Sequence, residues 1–308
     1  MALNLSVVND GDSFSYTESE FLYYRFYVPD VQAALGYILP VVADALRHLP
    51  SWIVDDDTHR IYLTGGKNVA ERSDVMKKTV FALRDTRKFD ILSRWRNETF
   101  PVYGPQKEIL FHLERSACPL FGVVTYGVHA VAFVPPQTES DELKIWVSRR
   151  AKTKQTYGGM LDCTAAGGVS SGETSLETLV KECQEEASLS PDYVWKHATA
   201  GGIVTHFYVR DKRAGGEAGF LQPEGQYVYD IPLPPHIICK NQDGEVDEFF
   251  LWTAVEIRRA LINREFKPNS ALVMLDFLIR HGVLTPENEP DYIEIVSRLH
   301  RRLSFPLR

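Results

Sequence analysis

The chain has 308 residues, enough for one large domain or two ordinary ones, and its 44% apolar, 24% charged and 11% aromatic content excludes fibrous, coiled-coil and largely disordered readings. Its 34 Lys and Arg against 41 Asp and Glu leave a net charge of −7, which argues against nucleic acid or an anionic membrane as the main partner. The four cysteines form no Cys-x-x-Cys pair, no basic or apolar leader opens the sequence, and no apolar run is long enough to span a bilayer, so a cytoplasmic protein without a membrane partner is expected.

In chain order, residues 1–21 read as a short ordered or frayed acidic tail. Over 29–49, Val31, Ala34, Leu35, Ile38, Leu39, Val42, Leu46 and Leu49 recur at spacings of three and four, which predicts one helix bent at Pro40. Residues 61–63 are a strand candidate, and Ser73 is expected to cap a helix carrying Val75, Met76, Val80 and Leu83. Residues 100–114 read as a turn feeding a strand, and a first unit is expected over 1–118, with a second over 119–308. In the second, the β-rich runs 121–134 and 143–147 flank the polar turn 135–142 as a hairpin. A Gly-rich stretch follows, with Gly158, Gly159, Gly167, Gly168 and Gly172, and then a helix. Strands at 203–209, 226–231 and 249–253 and helices at 255–263, 271–281 and 292–303 complete the pattern.

The helix after the Gly-rich stretch carries the chemistry. Thr174 and Glu177 have the spacing of a capping box, which fixes where it starts. On a helical wheel Leu176, Leu179, Val180, Cys183 and Ala187 share one stripe, and Glu182, Glu185 and Glu186 stack together on another face. Carboxylates at such spacings repel, so the arrangement gains from a cation, and an oxygen-seeking Mg²⁺ or Mn²⁺ suits them. Taken in isolation, the same triad reads as a solvated acidic face.

Gly167, five residues, Glu173, seven residues and then Lys181-Glu182-Cys183-Gln184-Glu185-Glu186-Ala187-Ser188-Leu189 resemble the long signature of the Nudix hydrolases, with Lys181 for Arg, Cys183 at the aliphatic position and Ser188 for Gly. Ser188 is expected to remove the usual left-handed helix stop, leaving Pro191 to end the helix. Segments including Tyr23-Tyr24-Arg25-Phe26, Arg94-Trp95-Arg96-Asn97-Glu98, Gln222-Pro223-Glu224, Asp243-Gly244-Glu245-Val246 and Phe266-Lys267-Pro268-Asn269 are similar to the thiamine pyrophosphokinase-related Nudix proteins, with Gly158 standing where Pro is expected. The resemblance implies an α/β fold, a Nudix α/β/α sandwich with a mixed sheet, preceded by a small α/β domain for recognition or support. It also implies metal-dependent hydrolysis of an organic diphosphate, thiamine diphosphate or its oxidised analogues. Kinase chemistry is not expected, because Gly65-Gly66-Lys67 is followed by Asn68 and lacks the first glycine of a P-loop.

On this reading Glu182, Glu185 and Glu186 hold the metal, Glu182, Glu186 and Glu245 are the catalytic carboxylates, and Glu245 is preferred to Glu248 as the additional acid. Arg149, Arg150 and Lys154, together with Lys152, are placed to meet the diphosphate, and Gly167 and Gly168 to let backbone approach the substrate. His206, His281 and His300 read as structural or exposed, and Cys163 and Cys183 as small buried apolar groups. Two other readings stay open: a silent Nudix domain that binds a diphosphate as a sensor, and a diphosphate isomerase dependent on a reactive Cys163.

Overall fold

The computed structural model describes residues 3–17, 22–138 and 140–308, so the tail reading is assessed for residues 3–17 and that of the polar turn leaves out residue 139. The chain opens with a helix, α1 (Leu3–Gly11), whose Val7 and Val8 are buried against α8 (Pro268–Arg280) near the other end of the chain. Asp12 locks this junction by accepting from Arg301 Nη1 at 2.9 Å and Arg298 Nε at 3.2 Å. What read as a tail is therefore part of the second unit's core.

The first unit holds a four-stranded sheet ordered β2-β1-β4-β3, formed by β1 (Tyr24–Tyr27), β2 (Gly36–Ile38), β3 (Trp52–Asp55) and β4 (Arg60–Leu63). It also holds helices α2 (Pro40–Leu46) and α3 (Val69–Asp85) and a hairpin of β5 (Thr99–Tyr103) and β6 (Ile109–Glu114). The single bent helix expected over 29–49 is instead a strand followed by a short helix. Gly36 is held extended by pairing with Phe26 and by a backbone approach so close that a Cβ there would lie 2.3 Å from the Phe121 carbonyl. Pro40 starts α2, where its missing N–H costs nothing. Leu35, Ile38, Val42 and Leu46 still share one core, because a strand-to-helix corner can bury the same set. Likewise α3 begins four residues before Ser73. Asn68 caps it by accepting from Glu71 N, while the Ser73 hydroxyl donates to Val69 O and accepts from His112 N, tying α3 to β6.

A short helix, α4 (Cys118–Phe121), leads into the second unit. Its seven-stranded mixed sheet has the order β11-β12-β7-β8-β13, built from β7 (Thr125–Val134), β8 (Lys144–Arg150), β11 (Thr199–Val209), β12 (Leu221–Pro232) and β13 (Val246–Thr253). Two short strands complete it: β9 (Leu161–Asp162) pairs with β8 and β10 (Ala165–Gly168) with β7. The expected hairpin is present, with Phe133 opposite Ile145. One face packs Val128 and Ala130 against Leu179 and Cys183 of α5 (Ser175–Ala187), which is followed by α6 (Pro191–His197). The other packs Val131, Val204 and Val228 against α8, with α1, α7 (Ala254–Ile262) and α9 (Tyr292–Leu299) around it. The result is an α/β/α sandwich. The last helix ends at Leu299, short of the expected 303, because the chain turns extended there to place Arg301 on Asp12.

Candidate active site

A cleft of about 520 Å³ lies between the two units, lined by Arg96, Glu98 and Phe100 from the first and by residues of β7, β8, β10, β12 and α5 from the second. Its acidic side is set by α5. The capping box forms as expected, with Glu177 N donating to Thr174 Oγ1 and Thr174 N donating back to Glu177. Buried Leu179, Cys183 and Ala187 fix the rotation of the helix, which turns Glu182 and Glu185 into the cleft and Glu186 toward β10. The helix ends on Ser188, which itself takes the left-handed conformation at φ 56° while its hydroxyl donates to Lys240 O. The glycine-type stop is thus kept without glycine, contrary to expectation.

Glu186 is buried; its Oε2 accepts from Ala166 N, at the edge of β10, at 3.0 Å. Its Oε1 accepts from Lys154 Nζ at 3.1 Å, and the same ammonium contacts Glu245. Glu182 crosses Gly167, where a Cβ would lie 2.2 Å from Oε1, so only glycine leaves room for this carboxylate. Burial and the neighbouring Glu186 push the Glu182 pKa up to about 8, against the pull of Lys154, and burial raises Glu186 as well. A set of all-oxygen donors whose mutual repulsion a single ammonium only partly offsets fits a hard divalent cation. The donor atoms of Glu182, Glu185 and Glu186 do not all come within 4.8 Å of one another. The only such cluster among the described residues, His129, Asp162 and Cys163, is taken up by Arg150 and Ser270, which bond Asp162.

The other expected residues divide. Lys154 and Glu245 are together in the cleft, and Arg150 lines it while spending one N–H on Asp162 at 2.7 Å. The structure does not bring Arg149 there: successive strand residues face opposite ways, and Arg149 stacks over Phe250 and donates to Gly159 O. Neither Lys152 nor Glu248 lines the cleft. Gly167 and Gly168 do, with protein side chains pressed on them, Glu182 on the first and Phe100 on the second. Cys163, on which the isomerase reading depends, is fully buried outside the cleft, with its thiol pKa pushed well up by burial.

Sequence reasoning missed a second constellation in the same cleft. Gln222, Glu224 and Gln226 alternate along one face of β12, and His206 on β11 stands directly opposite Glu224. Glu224 accepts from Gln222, from Gln226 Nε2 at 2.9 Å and from Asn269 Nδ2 at 3.3 Å, and His206 Nε2 lies 3.3 Å away. Burial alone would raise the Glu224 pKa, yet His206 above all, then the Gln222 amide and the Lys267 charge, hold it at about 2. The signal was available as a period-two row of polar residues, masked by the intervening Pro223 and Gly225.

The sequence matches a NUDIX domain over residues 127–270 and a domain of unknown function (DUF4743) over residues 5–125. It is 44% identical over 167 residues to an uncharacterized Nudix hydrolase of Rhodococcus erythropolis, covering 48% of this chain and 77% of that protein. An uncharacterized protein of Saccharomyces cerevisiae is 44% identical over 216 residues, or 69% of this chain and 63% of that one. Nudix hydrolase 20, chloroplastic, of Arabidopsis thaliana is 37% identical over 67% of this chain and 53% of that one. The chain thus spans only 53–63% of these two relatives. Among solved structures, the NUDIX domain of Shewanella oneidensis NrtR complexed with ADP ribose aligns with 53% of this chain and 91% of that one at 14% identity and a TM-score of 0.38. The chain belongs to the Nudix family. Among the described residues no helix is long and apolar enough to cross a membrane.

Proposed function

We propose that the protein is a metal-dependent hydrolase that cleaves the phosphoanhydride of an organic diphosphate to the monophosphate and phosphate, with thiamine diphosphate or its oxidised analogues as substrate. The observation that carries this reading is the coupling of Glu182, Glu186 and Glu245 around the Lys154 ammonium at the mouth of the cleft. Glu182, Glu185 and Glu186 would hold Mg²⁺ or Mn²⁺, which supplies charge neutralisation for phosphate oxygens. Ala166 N fixes one oxygen of Glu186, so this carboxylate is held without a conformational search. Glu182, which lines the cleft beside Gly167, is the group we assign to take the proton from the attacking water, a role open to it only as the carboxylate that a bound cation would favour. Lys154 and Arg150 supply positive charge on the β8 side of the bound diphosphate.

The thiamine assignment is supported by the segments of thiamine pyrophosphokinase-related type, several of which, among them 94–98, 222–224 and 266–269, contribute cleft residues. Four unpaired, buried cysteines support a reducing compartment such as the cytoplasm. The test is a product-resolved panel of diphosphates with Mg²⁺ and Mn²⁺. Release of phosphate with thiamine-type substrates preferred is expected, whereas binding without release would establish the sensor reading instead.

A further inference from the structure

Residues 95–98 of the first unit are anchored at both ends and lead Arg96 into the cleft. At one end the Trp95 ring stacks on Phe81 at 5.0 Å, with the Arg84 guanidinium over it at 4.6 Å; at the other, Glu98 is bonded to Arg115. We infer that Arg96 binds a phosphate of the substrate, so that the site borne by the second unit is completed by a residue of the first. The inference rests on the diphosphate reading and adds to it a phosphate-binding residue and a working role for the first unit.

The acids around Arg96 are already taken. Glu98 accepts from Arg115 Nη1 at 2.8 Å and from Ser170 Oγ at 2.6 Å, and Glu114 accepts from the backbone N–H groups of Arg96 and Ser116 at 3.0 and 3.3 Å. Elsewhere in the cleft Lys154 gathers Glu186 and Glu245, and Glu224, on the floor built by β12, is held by Gln222, Gln226 and Asn269. The Arg96 guanidinium is left with no hydrogen bond, ion pair or ring contact among the described residues. It is open to the water of the cleft yet closely walled, and this enclosure, then the Arg115 charge, lowers its pKa against the pull of Glu98, with Arg150 adding to the repulsion. An unpaired guanidinium among like charges gains from an anion, as the carboxylates of α5 gain from a cation.

The wall that carries Arg96 is fastened to the segment between β10 and α5. Ser171 N donates to Thr99 O at 2.9 Å and the Ser171 hydroxyl lies 2.7 Å from His112 Nδ1, next to the bond from Ser170 to Glu98. Arg96 therefore shares one cleft with Glu182 and Glu185 across a unit boundary that polar bonds hold in place. Its parallel N–H groups match two oxygens of one phosphate, a geometry that a lysine ammonium does not offer.

The test is calorimetric binding of imidodiphosphate, whose bridging nitrogen resists hydrolysis and which carries no organic group, to the full chain with Mg²⁺. Arg96→Met should weaken binding at least tenfold, and Arg96→Lys should recover part of the loss, since the charge returns without the fork. Thermal denaturation of the ligand-free protein separates binding from support. There Arg96→Met should match or exceed the wild-type midpoint, because it removes an unpaired charge from beside Arg115 and Arg150. A wild type that does not bind the probe, an affinity of Arg96→Met within twofold of wild type, or an Arg96→Met that is less stable or fails to fold would overturn the inference. A diphosphate panel run in parallel keeps the two readings apart. Arg96-dependent binding without phosphate release by the wild type would sink the hydrolase reading and leave the anion site standing, and release with Arg96-independent binding would do the reverse.

Discussion

Glutamates meet the cleft from two sides and are treated in opposite ways. On α5, Glu182 and Glu186 have few donors and each other's company, and the Glu182 pKa rises to about 8. On β12, Glu224 is no less enclosed, but the His206 imidazole, the Gln222 amide and the Lys267 charge hold it at about 2. The difference shows that burial alone does not decide what a carboxylate does. One deprived of donors is left ready for a cation or a proton, while one supplied with them becomes a rigid part of the frame.

This contrast can be broken most strongly with pH in metal-free protein. His129, on the floor side and faced by Asp162, Lys267, Glu224 and His206, has a folded pKa of about 4, below the 6.5 of the unfolded chain. The unfolded state takes up its proton first as pH falls, so stability present above pH 6.5 is lost between 6.5 and 4, on the order of 3 kcal/mol for this group. Glu182 tilts the other way: its raised folded pKa means stability is gained as pH falls from 8 toward 4.5. Urea titrations should show His129→Asn removing the acid-side loss and Glu182→Gln removing the opposite slope. Identical pH profiles for wild type and both variants would refute the contrast.

On the acidic side, Glu186→Gln should lower turnover at least a hundredfold, about 2.7 kcal/mol, while remaining folded, since a neutral amide weakens the hold on a cation that must offset phosphate charge. Near-normal turnover would remove Glu186 from the metal set. Lys154→Met leaves the buried Glu186 without its ammonium and should cost about 2 kcal/mol of metal-free stability. Added Mg²⁺ should return most of that, a recovery readable by thermal denaturation without any assay of activity.

Smaller effects sharpen the boundary between the two sides. Gly167→Ala must push Glu182 aside and should cost about tenfold in kcat on any diphosphate. Gly127→Ala should displace Gln226 and alter ligand preference instead. Equal effects of both alanines on both readouts would show that the sides are not separable. Lys181→Arg, on the exposed face of α5, should keep turnover within about threefold of wild type or raise it, as the guanidinium offers a carboxylate two bonds.

The acidic side was legible because a helix writes its faces at fixed spacing: Thr174, Glu177 and the Leu179-to-Ala187 stripe fall where the wheel puts them and Glu182 and Glu185 line the cleft, while Glu186 is buried against β10. The strand-borne side was not, because Gln222, Glu224 and Gln226 are ordinary surface residue types until His206 and Asn269, far away in sequence, arrive beside them. Adjacent Arg149 and Arg150 could not both face the cleft, a limit that the two-residue period of a strand already imposed. The helix expected over 29–49 failed for a tertiary reason, since the pairing of Gly36 with β1 and its approach to Phe121 override the local spacing.

The junction of Asp12 with Arg301 has a consequence for how the molecule is made. The two residues lie 289 positions apart, so at about 5–20 residues per second a ribosome needs roughly 15–60 s after Asp12 to produce its partner. Throughout that time α1 has been made but its apolar side, with Val7 and Val8, has no α8 to rest on. The first unit, whose sheet, helices and hairpin are contiguous between residues 24 and 114, can be assembled before then. The second unit's sandwich thus closes late, around a helix made long before α8, and a chaperone that shields α1 on the nascent chain would cover its apolar side through that interval.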